Sequence, residues 1–460
     1  MQTECITEQF GFAPVEKHAV VAAFDGGTIT SDAGALLLGL ADRAIGLINR
    51  FAGCFVDARS PVLIEHEVKT LVGQRVLALA LGYEDLNDHD ELRHDPVMAV
   101  LAGKLKARRQ KKCAAVAGKS TLNRLELSRP VPTRYHRVSH DPAAIEALFV
   151  DLFMGAYAAA PEEIVLDLDA TDDPVHGNQE GRFFHGYYGH YCYLPLYIFC
   201  GNQLLCAKLR PANIDAAAGS VQEIERIVCQ LRQRWPRVRI VLRADSGFAR
   251  DELMAWCEAN AVDYLFGLAR NARLVKHIAD ALEEAGAESG LTGRPARRFR
   301  DFEWRTRKSW SRRRRVVAKA EWTQGEANPR FVVTSLGVGA WPARSLYEDL
   351  YCARGEMENR IKECQLDLFA DRTSTATMRA NQLRLWFASM AYVLMCALRR
   401  IGLARTSLAR ASSNTIRLKL FKIGALVSIS VRRIKLAMNS ACPFQREWAL
   451  AYARLAAAAR

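Results

Sequence analysis

The sequence predicts an α/β fold: a mixed sheet flanked by helices, preceded by an all-helical segment and interrupted late by a β-rich block. Three observations carry this. Half of the 460 residues are apolar, enough for two or three domains with sizeable interiors. From about Glu162, short apolar runs alternate with amphipathic ones, the pattern of strands and covering helices. Three strand-like runs then follow one another between Phe299 and Leu336 without a helical run between them.

In chain order, Ser31 and Asp32 stand at a plausible cap, and the apolar spacing after them, with Val68 to Leu81, predicts helices as far as about Leu127. Ser128-Arg-Pro-Val-Pro132 disfavours helix and marks a boundary. Ile164 to Asp169 is a predicted strand; Tyr193 to Cys200 and Leu204 to Leu209, separated by Gly201-Asn202, form a predicted hairpin. Val221 to Arg234 is helical, Val238 to Asp245 a strand, Asp251 to Asn260 a helix and Asp263 to Leu268 a strand. Phe299 to Trp304, Arg315 to Trp322 and Arg330 to Leu336 make the β-rich block, and helical pattern returns at Ala343 and persists past Arg400. Leu385 to Leu398 is apolar for 14 residues, short of the ~20 that span a bilayer, and predicts a buried helix with no membrane partner.

Charge is both large and uneven. The formal net charge is +14, which points to an acidic partner. Between Arg294 and Lys319 twelve Lys or Arg stand against two acids, and from Arg372 to Arg446 there are fourteen basic residues and no acid. Stretches of that length with few or no acids favour phosphate contact over a merely solvated face. The twelve cysteines contain no Cys-x-x-Cys pair, which argues against zinc. Met1 to Phe12 lacks a basic n-region, so a cytoplasmic location with free thiols is expected.

Against this basic background a few acids are placed for chemistry. Along the first strand Val165, Asp167 and Asp169 share one face, and along the later strand Val241, Arg243 and Asp245 do. Each run ends in an aspartate at its carboxyl end, where open α/β sheets place their sites. Tyr351, Arg354, Glu358, Lys362 and Gln365 fall on one helical stripe. A phenol, a guanidinium, a carboxylate, an ammonium and an amide in line suit a phosphodiester, although an exposed helix with ordinary Glu–Lys pairing has the same spacing.

The segments Leu166-Asp-Leu-Asp-Ala-Thr-Asp172, Arg243-Ala-Asp-Ser-Gly-Phe248 and Tyr351-x2-Arg-x3-Glu358 resemble the three acidic motifs of bacterial insertion-sequence transposases of the DDE type, with their RNase H-like fold. The chain is most similar to the branch whose third motif reads Tyr-x2-Arg-x3-Glu-x6-Lys and whose sheet is interrupted by a β-rich insertion. The resemblance implies that Asp169, Asp245 and Glu358 are the catalytic, metal-binding triad, with Asp167 an alternative for the first acid. It implies two Mg²⁺ ions, with Mn²⁺ tolerated, and Tyr351 and Arg354 as contacts to transposon-end phosphates. Where that signature expects Lys, this chain has Gln365, with Lys362 one turn nearer the glutamate as the alternative.

The implied activity is cut-and-paste transposition: binding of terminal inverted repeats, hydrolysis at the ends, and attack of the freed 3′-hydroxyl on target DNA by a homodimer in the synaptic complex at the bacterial nucleoid. A catalytically silent DNA-binding regulator and a structure-selective nuclease are the alternatives. The corresponding organisation is 1–130, a mainly helical DNA-binding domain; 160–270, the first part of the catalytic domain; 271–342, the basic β-rich insertion; 343–405, its helical completion; and 406–460, a basic C-terminal segment. Lys104 to Lys112 is expected to support backbone contact by the N-terminal domain. In the insertion, tryptophans interleave with Arg305, Arg307 and Lys308, a pattern that favours stacking on unpaired bases beside gripped phosphates. Trp310, Arg312, Arg313, Arg314 and Arg315 are the DNA-binding candidates there, against the alternative that the rings fill a small β core. Ala117-Gly-Lys-Ser-Thr121 resembles a phosphate-binding loop, but Cys113 stands where its first glycine belongs.

Overall fold

The computed structural model describes residues 8–103, 115–323, 325–430 and 432–460. The basic run Lys104 to Lys112 and Cys113 lie outside the described residues. The chain falls into two compact units, Asp141–Ser389 and Met1–His140 with Met390–Arg460.

The first of these units is built on a nine-stranded mixed sheet. Its strands are β1 (Glu163–Ala170), β2 (Leu196–Cys200), β3 (Gln203–Lys208), β4 (Arg239–Ala244), β5 (Asp263–Leu268), β6 (Ala296–Trp304), β7 (Arg314–Thr323), β8 (Glu326–Ala327) and β9 (Arg330–Thr334). They lie in the order β3-β2-β1-β4-β5-β9-β7-β6, with β8 paired to β7 off that path. β4 runs parallel to both β1 and β5, while β2 is antiparallel to β1.

Period-two alternation sorts the apolar residues onto the two faces. Ile164, Leu166, Leu168, Ile240, Leu242 and Phe266 enter one core, which includes Ile224, Ile227 and Leu231 of helix α1 (Ser220–Arg234) and Leu253 and Met254 of α2 (Asp251–Ala259). Val241, Leu265, Val317 and Val332 enter a second core with Leu346, Tyr347 and Leu350, and Val165 packs against it. The face that carries Val165 and Val241 is therefore the face on which the helical segment before Glu358 lies. This parity decides where the acids on β1 point.

Several boundaries differ from the sequence-based expectation. The run Tyr193 to Cys200 is two strands, His190–Tyr193 and β2, broken at Leu194-Pro195, where Pro has no N–H to give a ladder. The segment 271–342 opens with two helices, Ala272–His277 and Ala279–Thr292. Its strands do not form a separate block: β9 pairs with β5, so β6, β7 and β9 extend the central sheet.

The other unit contains helices Leu36–Ile45, Leu47–Ala52 and Val68–Leu81, the last almost wholly buried. It is not all-helical. Gln9–Val15 and His18–Ala23 form an antiparallel hairpin, and Ile29–Thr30 pairs with Ala425–Ile429, which pairs with Ile434–Met438. Residues 425–438 thus close a sheet begun at residue 29. The helical stretch Met378–Gly402 is apolar and long enough to cross a membrane, but 89% of its apolar window is buried, as in a core helix.

Candidate active site

Asp169 is at the carboxyl end of β1, and Asp245 directly follows β4. The last parallel pair of the ladder, Ala244 with Leu168, sets the two aspartates one position beyond it on neighbouring strands. Each is fixed by its own backbone: Asp169 Oδ1 accepts from Ala170 N–H at 3.1 Å, and Asp245 Oδ1 accepts from Gly247 N–H at 2.9 Å, capping the turn Ser246–Phe248.

Asp167 shares the face of Asp169, and the structure separates their roles. In register, Asp167 stands opposite Arg243 of β4. The Arg243 guanidinium donates bidentately to its carboxylate, Nε to Oδ1 at 2.5 Å and Nη2 to Oδ2 at 2.8 Å, both side chains being buried. Nη1 donates to the Leu350 carbonyl. One arginine thus ties both aspartate-bearing strands to the helical segment of Glu358, and Asp167 is consumed in the tie. Asp169 remains the first acid available to a ligand.

That helical segment is not one regular α-helix. It runs as a π-helical stretch Leu346–Tyr351, a 3₁₀ turn Cys352–Arg354, α-helix α3 (Gly355–Lys362) and a second π-helical stretch Glu363–Asp367. The widened turns rotate residues off a pure 3.6-residue stripe, a feature frequent at functional sites. Arg354 lies between two acids, Nη1 3.9 Å from Asp169 Oδ1 and Nη2 3.5 Å from Glu358 Oε1. Glu358 is half-exposed and Lys362, one turn on, is exposed. Gln365 points elsewhere, its Nε2 donating to the Asp172 carbonyl at 3.0 Å. The Gln365 amide therefore braces the loop after β1, while Lys362 is exposed on the α-helix that carries Glu358.

Electrostatics join the three acids. Burial pushes the Asp169 carboxyl up to about 7; Arg354 opposes the shift, while the charges of Asp245 and Glu358 add to it. Among the described residues, no three His, Cys, Asp or Glu side chains form a ready metal cage. The donor set is nevertheless all carboxylate oxygen, the chemistry of a site for Mg²⁺ or Mn²⁺ rather than zinc. The Arg354 guanidinium offsets part of its negative charge.

The insertion candidates divide. Trp310 is 3% exposed and belongs to the main core, so its ring is not open to a base. Arg314, also buried, pairs with Glu258 at 2.7 Å and Asp251 at 2.6 Å. Arg315 pairs with Asp301 at 2.6 Å and donates to the carbonyls of Leu336 and Trp341. The ring of Trp310 and the charges of Arg314 and Arg315 are thus engaged within the fold. Arg312 and Arg313 are exposed. Gly118 leads into a helix with Lys119 bound to Asp90, a carboxylate where a phosphate loop needs an anion-free cradle.

Sequence reasoning missed Gly267. A Cβ there would lie 2.6 Å from Tyr351 Oη and 2.9 Å from Ser246 N. The absent side chain lets Tyr351 lie against the backbone beside Asp245. A glycine inside a strand is the signal for such close approach.

A family model described as Transposase DDE domain group 1 matches residues 12–460. No curated protein matches the chain. Among solved structures, the synaptic complex of piggyBac transposase with hairpin DNA aligns with a TM-score of 0.40 at 10% identity, over 85% of this chain and 79% of that one.

Proposed function

Because the chain belongs to the family of transposase DDE domains of group 1, we propose that Asp169, Asp245 and Glu358 are its catalytic triad, cutting the terminal inverted repeats of an insertion sequence and joining the freed 3′-hydroxyl to target DNA. The observation that carries this reading is that Asp169 and Asp245 stand at the ends of neighbouring parallel strands, with Arg354 reaching from Asp169 to Glu358. The order β3-β2-β1-β4-β5, with β1, β4 and β5 parallel, supports an RNase H-like core. The Tyr-Arg-Glu-Lys signature is then completed by Lys362 in place of the residue at Gln365.

Two Mg²⁺ ions held by these carboxylates would supply nucleophile activation and stabilisation of the leaving oxygen in an in-line displacement. The chain's own residues do the rest. Arg243 holds both aspartate strands and the glutamate segment in register. Arg354 offsets like charge between Asp169 and Glu358, and its guanidinium and the Tyr351 phenol lie where a phosphate approaching Asp245 is met. Water attacks first at the transposon end, and the 3′-hydroxyl so formed is the second nucleophile at the same triad. Arg312, Arg313 and Lys362 are exposed cations for the DNA backbone. Synapsis of paired ends calls for two copies of the chain, acting on DNA in a bacterial cytoplasm.

The test is a joining assay with a duplex carrying the inverted repeat that borders the reading frame, a target plasmid and Mg²⁺. Wild type is expected to cut and join, and Asp245→Asn to lose at least about 100-fold in rate, several kcal/mol of metal-derived stabilisation. Binding without cutting by wild type would make the chain a regulator, and cutting without joining a nuclease.

A further inference from the structure

A pocket of about 580 Å³ is lined by Asp245 and extends from it to residues outside the triad. It is walled by the ends of β4 and β5, the start of β9 and the π-helical stretch before Arg354. Its volume is within the roughly 300–1,000 Å³ of sites that enclose small organic groups.

Three features say what fits. Arg270 and Arg330 line it, both exposed. The neighbouring arginines of β6 and β7 are engaged by acids: Arg297 with Glu348, Arg298 with Glu288, Arg300 with Asp280, Arg314 with Glu258 and Arg315 with Asp301. Among the described residues, Arg270 and Arg330 have no such ion pair, so two uncompensated guanidinia face one concavity. Tyr351, half-buried, supplies one aromatic wall, and Tyr347, packed in the second core, backs it at a centroid distance of 5.5 Å. Asp245 belongs to the carboxylate cluster and to this pocket at once, so a strand whose phosphate is at the triad has its next residue at the pocket mouth.

Free guanidinia recognise phosphate, and aromatic walls beside them recognise a base face. We infer that this pocket is a nucleotide subsite that takes the DNA residue adjoining the phosphate at the triad, its own phosphate on Arg270 and Arg330 and its base against Tyr351. This rests on the transposase reading above. Arg270 and Arg330 thereby join the substrate-binding residues, and the subsite would fix which bond of the strand lies over Asp245.

The test uses the full chain, the inverted-repeat duplex and Ca²⁺ in place of Mg²⁺, so that binding is read without cutting. Arg270→Ala and Arg330→Ala alter exposed side chains, and unchanged melting temperatures establish that they fold. Each is expected to flatten the dependence of log affinity on log salt by about one phosphate contact. An abasic residue is then moved through the positions flanking the cut. One position is expected to weaken wild-type binding about 10-fold, as loss of a stacked base does, and to weaken Tyr351→Leu, checked for folding by its melting temperature, far less. Unchanged salt slopes in both arginine variants, or no position at which the abasic penalty depends on Tyr351, overturn the subsite. If wild type cuts the repeat in Mg²⁺ while these readouts fail, the pocket alone falls. If wild type neither binds nor cuts it, the transposase reading falls and takes the subsite with it.

Discussion

Replacing Asp169 by Asn gives a stability change whose sign follows from the site. The folded protein holds this carboxyl near 7 against an ordinary value of 3.8. A carboxyl raised on folding binds its proton more tightly in the folded state, so its contribution to stability is complete below about pH 4 and is lost as pH rises through about 7. At 1.36 kcal/mol per pKa unit, the ionised side chain then costs the fold roughly 4 kcal/mol at most. The side chain is 18% exposed, and solvent screening brings a realistic figure to roughly 2–3 kcal/mol. Asn keeps the shape and removes the charge. In EDTA, denaturant unfolding should find Asp169→Asn more stable than wild type at pH 8, with the advantage vanishing towards pH 4. Added Mg²⁺ or Mn²⁺ should reverse the order by stabilising wild type alone. A difference that does not vary with pH, or a variant less stable than wild type at pH 8 in EDTA, would refute the argument that burial and like charge strain this group.

Three further expectations concern the frame of the site. Gly267→Ala should destabilise by roughly 1–3 kcal/mol through overpacking and reduce cutting, and Tyr351→Phe in the same chain should relieve part of the loss, since the clash is with Tyr351 Oη as well as Ser246 N; melting temperatures and single-turnover cutting read both. Arg243→Met leaves Asp167 buried without its partner and should lose roughly 3–5 kcal/mol by denaturant titration, whereas Asp167→Asn with Arg243→Met should recover much of it. Trp310→Ala should cost roughly 3–5 kcal/mol of stability as a core truncation, with DNA affinity of the folded fraction unchanged in an anisotropy titration.

What the sequence made legible was local or periodic. Strand parity placed Asp167, Asp169, Arg243 and Asp245 on one face, and the helical spacing of Arg354, Glu358 and Lys362 survives in and beside a short α-helix. The choice between Asp167 and Asp169 was not legible from strand parity, because both share that face; what distinguishes them is that Asp167 stands opposite Arg243 across the parallel ladder, a relation of residues far apart in the chain. Gln365 left the stripe because a π-helical stretch begins at Glu363, and no local propensity announces that widening. Trp310 lies between serines in a basic run and reads as exposed, yet tertiary packing buries it. The pairing of β9 with β5, which merges the insertion with the central sheet, and the return of residues 425–438 to Ile29–Thr30 are likewise long-range contacts that turn and period signals do not encode.

The central claim, that Asp169, Asp245 and Glu358 act as one divalent-ion site, is tested most directly by Mn²⁺ binding to the purified chain, followed by electron paramagnetic resonance or calorimetry. Wild type should bind, and Asp169→Asn, Asp245→Asn and Glu358→Gln should each weaken binding by at least about 10-fold while remaining folded. Wild-type affinity in any one of the three folded variants would contradict the account.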